Sequence, residues 1–268
     1  MPFFESFYYQ AHGDLKNPAI VFLHGFMGNG KSWKIIVDSL VNKFHCITID
    51  LPGHGRTKAD DALYSTPKCA EQIVALANQL RLKRFNLVGY SMGGRLALYL
   101  ALNNADKIKN LVMESSSPGL KTEKERLDRR NSDEALAAGL ETNSLREFVE
   151  KWYNRPLFQS LRADKKNFES MVKERLDNDA LGLAKSLRFM GTGVQESLWG
   201  KLRNLNKPTL LIVGELDRKF QGIAKAMLLM SKKIKIECVM DAGHNVHFEK
   251  PPEYAELLSG FFSVERNK

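Results

Sequence analysis

The sequence has little cysteine. It carries three, Cys46, Cys69 and Cys238, far apart in the chain. An odd number without C-x-x-C spacing excludes a disulfide scaffold and a zinc ribbon. Cys46 and Cys238 fall in apolar runs that read as strands, so buried free thiols are expected there. Also missing is any apolar run near the ~18 residues a membrane span needs. The opening MPFFESFYYQ lacks the basic start and unbroken apolar stretch of a secretion signal. These absences point to a cytoplasmic protein with no membrane partner. The formal charge is +9, yet no dense Lys/Arg tract accounts for it. In KTEKERLDRR acids interrupt the bases, so a nucleic-acid partner is not expected. A site lined with arginines for a carboxylated small molecule stays open. The chain shows no internal repeat, no low-complexity segment and no metal-ligand cluster. The oligomeric state is not encoded legibly.

What is present is the composition of an ordinary globular protein. The chain has 268 residues, 43% hydrophobic and 26% charged, enough for one large α/β domain or a core with one insertion. Short apolar runs read as buried strands: Ala19–His24, Phe44–Asp50, Phe85–Tyr90, Ile108–Glu114, Thr209–Val213 and Ile234–Val239. Helical spacing marks Ser32–Val41, Pro67–Leu80, Met92–Leu102 and Pro252–Phe262 between and after them. Such alternation predicts a mostly parallel sheet with helices on both faces. One stretch breaks the rhythm. From Pro118 to about Gln195 no strand signal occurs, and the segment is polar and helical in period. It is expected to be a helical cap, residues 118–195, inserted into a core of residues 1–117 and 196–268. Acids and bases nearly balance across it, and it is too polar for a lipid-binding lid.

The sharpest motif is Gly89-Tyr90-Ser91-Met92-Gly93, a G-x-S-x-G that follows a strand and opens a helix. The glycines let the chain turn tightly, and the turn leaves the Ser91 hydroxyl at a helix N-terminus, where negative charge is favoured. Serine needs a base. Of the six histidines, His244 lies just past the last strand, on the edge expected for Ser91. His12 and His45 read as exposed or structural, and His54 and His247 are weaker competitors. The base needs an orienting acid. Asp217, in Gly214-Glu215-Leu216-Asp217, follows a strand end and completes the order Ser…Asp…His, with Glu215 and Glu114 as rivals. The Gly25 turn after the first core strand suggests an oxyanion hole formed by the backbone N–H groups of Phe26 and Met92. Together these features predict an α/β-hydrolase fold.

One motif competes. Gly25-Phe26-Met27-Gly28-Asn29-Gly30-Lys31-Ser32 fits the phosphate-binding G-x-x-x-x-G-K-[ST] pattern, with Asp50 ending the next strand as a magnesium-binding aspartate would. That reading leaves GYSMG, GELD and AGH at three strand ends unexplained, so the same glycines are better read as an oxyanion loop.

The sequence is similar to the α/β-hydrolase superfamily over nearly its whole length. Within it, GYSMGGRLALYLAL, FLHGFMGNGKSW, DLPGHGRT, SSPGL, ERLDRR, WYNRPLFQSL, GELDRKF and AGHNVHFEKP resemble the 2-succinyl-6-hydroxy-2,4-cyclohexadiene-1-carboxylate synthases of menaquinone and phylloquinone biosynthesis. The resemblance implies a lyase that eliminates pyruvate from an enolpyruvyl cyclohexene carboxylate without a cofactor. It implies that Ser91, activated by His244, acts as a base and not as a nucleophile. It also implies that Arg129 and Arg175 hold substrate carboxylates, and that Tyr90 and Trp152 line the pocket. The residues add Arg95, one helical turn after Ser91 on the same face, and Arg126 as a substitute for Arg129. Two other readings stay open. One is a serine hydrolase (carboxylesterase, thioesterase or C–C bond hydrolase) with an anionic substrate. The other is a non-catalytic binding protein of the same fold.

Overall fold

The computed structural model describes residues 3–4 and 7–264. Their eight strands form one sheet. In chain order these are β1 (Phe3–Phe4), β2 (Phe7–His12), β3 (Ala19–Leu23) and β4 (His45–Ile49), then β5 (Phe85–Tyr90), β6 (Ile108–Glu114), β7 (Thr209–Gly214) and β8 (Ile234–Val239). Their order across the sheet is β1-β2-β4-β3-β5-β6-β7-β8. From β4 to β8 every pairing is parallel, while β1 and β2 join antiparallel at one edge. Strands β3, β4, β5 and β7 are buried along their whole length. That is why they read as unbroken apolar runs, since a parallel sheet is covered on both faces.

Two hydrophobic clusters fill those faces. On one side α2 (Thr66–Gln79) and α3 (Met92–Asn103) contribute Cys69, Ile73, Leu76, Leu96 and Leu100 to a cluster with Val21, Leu87 and Leu111. On the other, α1 (Lys34–Leu40) and the last helix, Pro251–Val264, bring Ile36, Leu40, Tyr254 and Phe262 against Ile20, Phe22 and Val112. Between β6 and β7 the chain leaves the sheet. It forms α4 (Glu123–Thr142), α5 (Leu145–Tyr153), a 3-10 segment Pro156–Ala163, α6 (Lys165–Arg175) and α7 (Ala180–Met190). A reciprocal cap starts α4: Thr122 Oγ1 accepts from the Glu125 N–H, and the Glu125 carboxylate accepts from the Thr122 N–H at 2.8 Å. This helical layer has its own small core of Ala137, Leu140, Val149, Leu161, Leu183 and Leu187. It closes over Met27, in the loop after β3.

Three features depart from expectation. The edge strands β1 and β2 carry no parallel-strand signature, and FYYQAH is buried only at its first two residues. The helix α8 (Arg218–Leu228), directly after Asp217, and the short α9 (Val246–Glu249), ahead of the final helix α10 (Pro251–Val264), were not evident from periodicity. Cys238 is exposed, unlike the buried Cys46 and Cys69. The strand β8 that carries it is the sheet's far edge, with a buried residue only at each end.

Candidate active site

The parallel register places one set of strand ends side by side. Leu23 pairs with Gly89, Tyr90 with Glu114, and Glu114 with Ile212. The loops after β3, β5, β6, β7 and β8 therefore open along one rim of the sheet, where open α/β folds gather their chemistry. Ser91 stands at that rim between β5 and α3, with φ 50° and ψ −104°. A non-glycine residue holds this conformation only under strain of ~1–3 kcal/mol, compensated by its surroundings. The surroundings are visible. The Ser91 N–H donates to the Glu114 carbonyl at 2.9 Å, and the Ser116 hydroxyl donates to the Ser91 carbonyl at 2.8 Å. A side chain at Gly89 would meet the Gly93 carbonyl at 2.4 Å, and one at Gly93 would meet the Leu23 carbonyl at 2.2 Å. The two glycines of the motif are thus required by backbone contact.

His244 Nε2 lies 3.3 Å from Ser91 Oγ, and His244 Nδ1 lies 2.7 Å from Asp217 Oδ2. With Nδ1–H donating to the buried carboxylate, Nε2 is left free to accept the serine proton. Asp217 is fixed in turn, because its Oδ1 accepts from the Phe220 N–H and caps α8. The rivals are engaged elsewhere. Glu215 accepts from the Asp241 N–H at 3.1 Å, and Glu114 is bonded to His247 at 2.7 Å. Met92 is the first residue of α3, so its N–H has no acceptor one turn earlier in the helix. It shares a cavity wall with Phe26 and Ser91.

His24 underlies the Gly25–Phe26 turn expected to form part of an oxyanion hole. Its Nε2 accepts from the Leu51 N–H and its Nδ1–H donates to the Gly25 carbonyl, which fixes a neutral tautomer. Burial, and next the neighbouring His54, hold its pKa well below the usual range. The phosphate-loop reading fails at the same place. The Asp50 carboxylate accepts from the Gly30 and Arg56 N–H groups at 2.6 and 2.8 Å. It occupies a backbone donor the phosphate would need and locks the loop.

Two cavities meet at Ser91. The larger, about 290 Å³, is walled by Phe26, Met92, Arg95, Arg129, Trp152 and His244, among others. The smaller, about 40 Å³, is lined by Tyr90 and Arg175, with Phe26, Ser91, Trp152 and Phe158 shared between the two. Every expected site residue therefore lines one of these hollows, except Asp217, which stands behind His244. Two hollows are larger: one of about 1020 Å³ adjoins the small cavity through Ser32, Arg175, Asn245 and His247, and one of about 690 Å³ lies apart, so size does not mark the site; the side-chain chemistry does.

The arginines differ in their bonding. Arg175 is buried, and its guanidinium donates to the Tyr153 hydroxyl and to Ser32 Oγ, both at 3.2 Å. Arg95 donates to Gln195 Oε1 at 2.6 Å and to the Met190 carbonyl, and burial lowers its pKa to about 10. Neither meets a carboxylate among the described residues. Arg129 pairs with Asp133 at 2.7 Å. Arg126 is bound to Glu123 and does not reach the cavity wall. Sequence reasoning missed Arg155 and Lys219, which also line the larger cavity. Arg155 stands three residues after Trp152 in WYNRPLF, the only hint the sequence offered. Among the described residues no cluster of three or more His, Cys, Asp or Glu could hold a metal ion, and no helix is long and apolar enough to cross a membrane.

A serine at a strained strand-to-helix elbow, with an acid and a histidine supplied by later strand ends of one parallel sheet, defines a triad enzyme of the α/β type. A family model described as "alpha/beta hydrolase fold" matches residues 18–251. The 2-succinyl-6-hydroxy-2,4-cyclohexadiene-1-carboxylate synthase of Citrobacter koseri is 34% identical, covering 92% of this chain and 94% of its own. A Bacillus subtilis protein provisionally given the same name is 39% identical, covering 94% of this chain and 92% of its own. The structure of MenH from S. aureus superimposes with a TM-score of 0.92 at 34% identity, over 96% of this chain and 98% of that one. The chain belongs to the α/β-hydrolase fold family and, within it, to the 2-succinyl-6-hydroxy-2,4-cyclohexadiene-1-carboxylate synthases.

Proposed function

We propose that this enzyme eliminates pyruvate from 2-succinyl-5-enolpyruvyl-6-hydroxy-3-cyclohexene-1-carboxylate, giving 2-succinyl-6-hydroxy-2,4-cyclohexadiene-1-carboxylate, with Ser91 as the proton-abstracting group. The step belongs to menaquinone or phylloquinone synthesis. The observation that carries the reading beyond the family is the surplus of positive charge at the triad. Arg95 and Arg175 both face the cavities with no carboxylate partner among the described residues, as a polycarboxylate substrate requires. Simple esters need no such lining. A serine hydrolase with an anionic substrate would use the same arginines; the family similarity favours the lyase over it.

In this mechanism His244 Nε2 accepts the Ser91 proton while Asp217 steadies the imidazolium. The Ser91 oxygen removes the ring proton beside the succinyl carbonyl. The Phe26 and Met92 N–H groups stabilise negative charge on that carbonyl oxygen as it develops. The electron pair moves through the ring and the C–O bond to the enolpyruvyl group breaks; the proton held on His244 passes to the departing enolate, which becomes pyruvate, and the ring proton restores the Ser91 hydroxyl. Arg129 and Arg175 hold carboxylates, Arg95 supports them, and Tyr90 and Trp152 form apolar walls that exclude water. Residues 118–195 act as the cap over a core of 1–117 and 196–268. Three cysteines without a disulfide fit a cytoplasmic setting.

The test is pyruvate release from freshly generated substrate, followed with a lactate dehydrogenase couple. Release well above the spontaneous rate, and lost in Ser91→Ala, is expected. No release from folded wild-type protein would overturn the reading.

A further inference from the structure

The larger cavity carries more positive charge than its surroundings balance. Arg95, Arg129, Arg155 and Lys219 line it, and no acidic residue does. One buried carboxylate, Asp133, stands behind the wall and accepts from Arg129 Nε. Burial and then the Arg129 charge push both Arg95 and Arg155 below the usual guanidinium range, while Asp133 acts in the opposite direction. Three guanidinium groups therefore share one electrostatic neighbourhood with a single protein carboxylate. Like charges this close repel, and an arrangement of this kind is stabilised when an anion enters.

Arg155 is also held ready. Its guanidinium carbon sits 4.0 Å above the Trp152 ring. Trp152 in turn packs on Phe26 at 4.9 Å and stacks on Phe148 at 5.9 Å. Pro156 follows directly and stiffens the backbone at the start of the 3-10 segment. The ion pairs of the cap arginines run through Arg126, Arg129, Arg130 and Arg188; among the described residues none involves Arg155. A planar donor fork, fixed on an aromatic platform and unpaired, pays little entropy on meeting a carboxylate.

We propose that Arg155 is a substrate-anchoring residue. On its Trp152 platform it completes, with Arg95 and Arg129, a carboxylate site in the larger cavity, while Arg175 takes a second carboxylate in the smaller one. The substrate then spans Ser91 with an anionic group on either side. The identity of the substrate rests on the function proposed above; the charge class of the ligand rests on the cavity.

Two titrations of the full chain test this. Ser91→Ala protein, with and without Arg155→Gln, is titrated calorimetrically with intact substrate and separately with tricarballylate, which offers three carboxylates without the ring. Losing a charge-assisted bond to a carboxylate weakens binding roughly 10–50-fold, and that loss is expected for both ligands in Arg155→Gln. Arg155→Lys should recover part of it, since it keeps the charge and loses the fork. An unchanged melting temperature in the absence of ligand identifies the loss as local. Equal affinities with and without Arg155→Gln, or failure of the Ser91→Ala protein to bind either ligand, would overturn the proposal. Tricarballylate binding that depends on Arg155, in an enzyme that releases no pyruvate, would instead overturn the lyase reading and leave the anion site standing.

Discussion

Glu114 Oε2 lies 2.7 Å from His247 Nδ1, and Glu114 Oε1 accepts from the His247 N–H at 3.1 Å, so the protein holds a second buried histidine–carboxylate pair beside the triad. The His247 ring stacks on Trp33 at 4.1 Å. The two pairs look alike in sequence terms, since each joins an acid at or just past a strand end to a histidine of the short segment after β8. Only His244 reaches Ser91. The pairs should therefore separate on substitution. Glu114→Ala is expected to cost roughly 2–4 kcal/mol of stability, because it leaves a buried polar partner unsatisfied. Asp217→Asn should cost under about 1 kcal/mol, since asparagine also caps a helix, yet lower kcat about 10⁴-fold by favouring the wrong histidine tautomer. Urea unfolding and steady-state turnover on both variants check this; equal loss of activity in the two would contradict it.

Arg175 illustrates a conflict between stability and binding. It is 5% exposed and bonded only to two neutral hydroxyl groups. A buried charge without a counter-charge destabilises the fold. Arg175→Met is expected to raise the unfolding free energy by about 1 kcal/mol while raising KM at least about 10-fold. A lower melting temperature with an unchanged KM would show that the guanidinium serves the fold instead.

Glu249 brackets His244, the proposed base. Its two carboxylate oxygens accept from the Gly243 and Asn245 N–H groups, at 2.9 and 3.2 Å, one on each side of His244. A misplacement of 1 Å at a catalytic group costs about 10²-fold. Glu249→Ala should lower kcat roughly 10–100-fold with little change in KM, whereas Glu249→Gln, which keeps one acceptor, should retain more. Unchanged kcat in Glu249→Ala would remove the residue from the positioning of His244.

Much of this site was legible because the chemistry is tied to strand ends. Fully buried parallel strands announce themselves as apolar runs, and the elbow, the acid and the histidine each follow one. The order Ser91, Asp217, His244 could then be proposed without tertiary information. What stayed hidden depends on contacts between distant segments. Strand β2 pairs antiparallel with β4, and its polar second half conceals it. Arg155 resembles any cap arginine until the stacking on Trp152 turns it inward, while Arg126, an equally plausible candidate, is drawn away by Glu123. Cys238 was misjudged because its run is apolar enough for a core strand, yet the strand ends the sheet.

Two buried histidines set an acid limit to stability. Burial holds His54 at about 4 and His24 well below its ordinary value of 6.5. An unfolded chain protonates both near pH 6.5. The stability they confer is thus fully present above that pH and is lost as pH falls from about 6.5 towards 4. For His54 alone the loss amounts to roughly 3 kcal/mol. Unfolding curves at pH 7.5, 6 and 5 should show a decline that is shallower in His54→Gln. A wild-type profile flat across this range would contradict the neutral assignment.

In the proposed mechanism Ser91 removes a ring proton and never becomes covalently attached to substrate. The direct measurement uses substrate carrying deuterium at the ring carbon beside the succinyl carbonyl, with pyruvate release and intact protein mass followed together. Release slowed several-fold by deuterium, with a protein mass unchanged throughout turnover, is expected. Release at an undiminished rate, with a transient adduct that disappears in Ser91→Ala, would contradict it and make Ser91 a nucleophile.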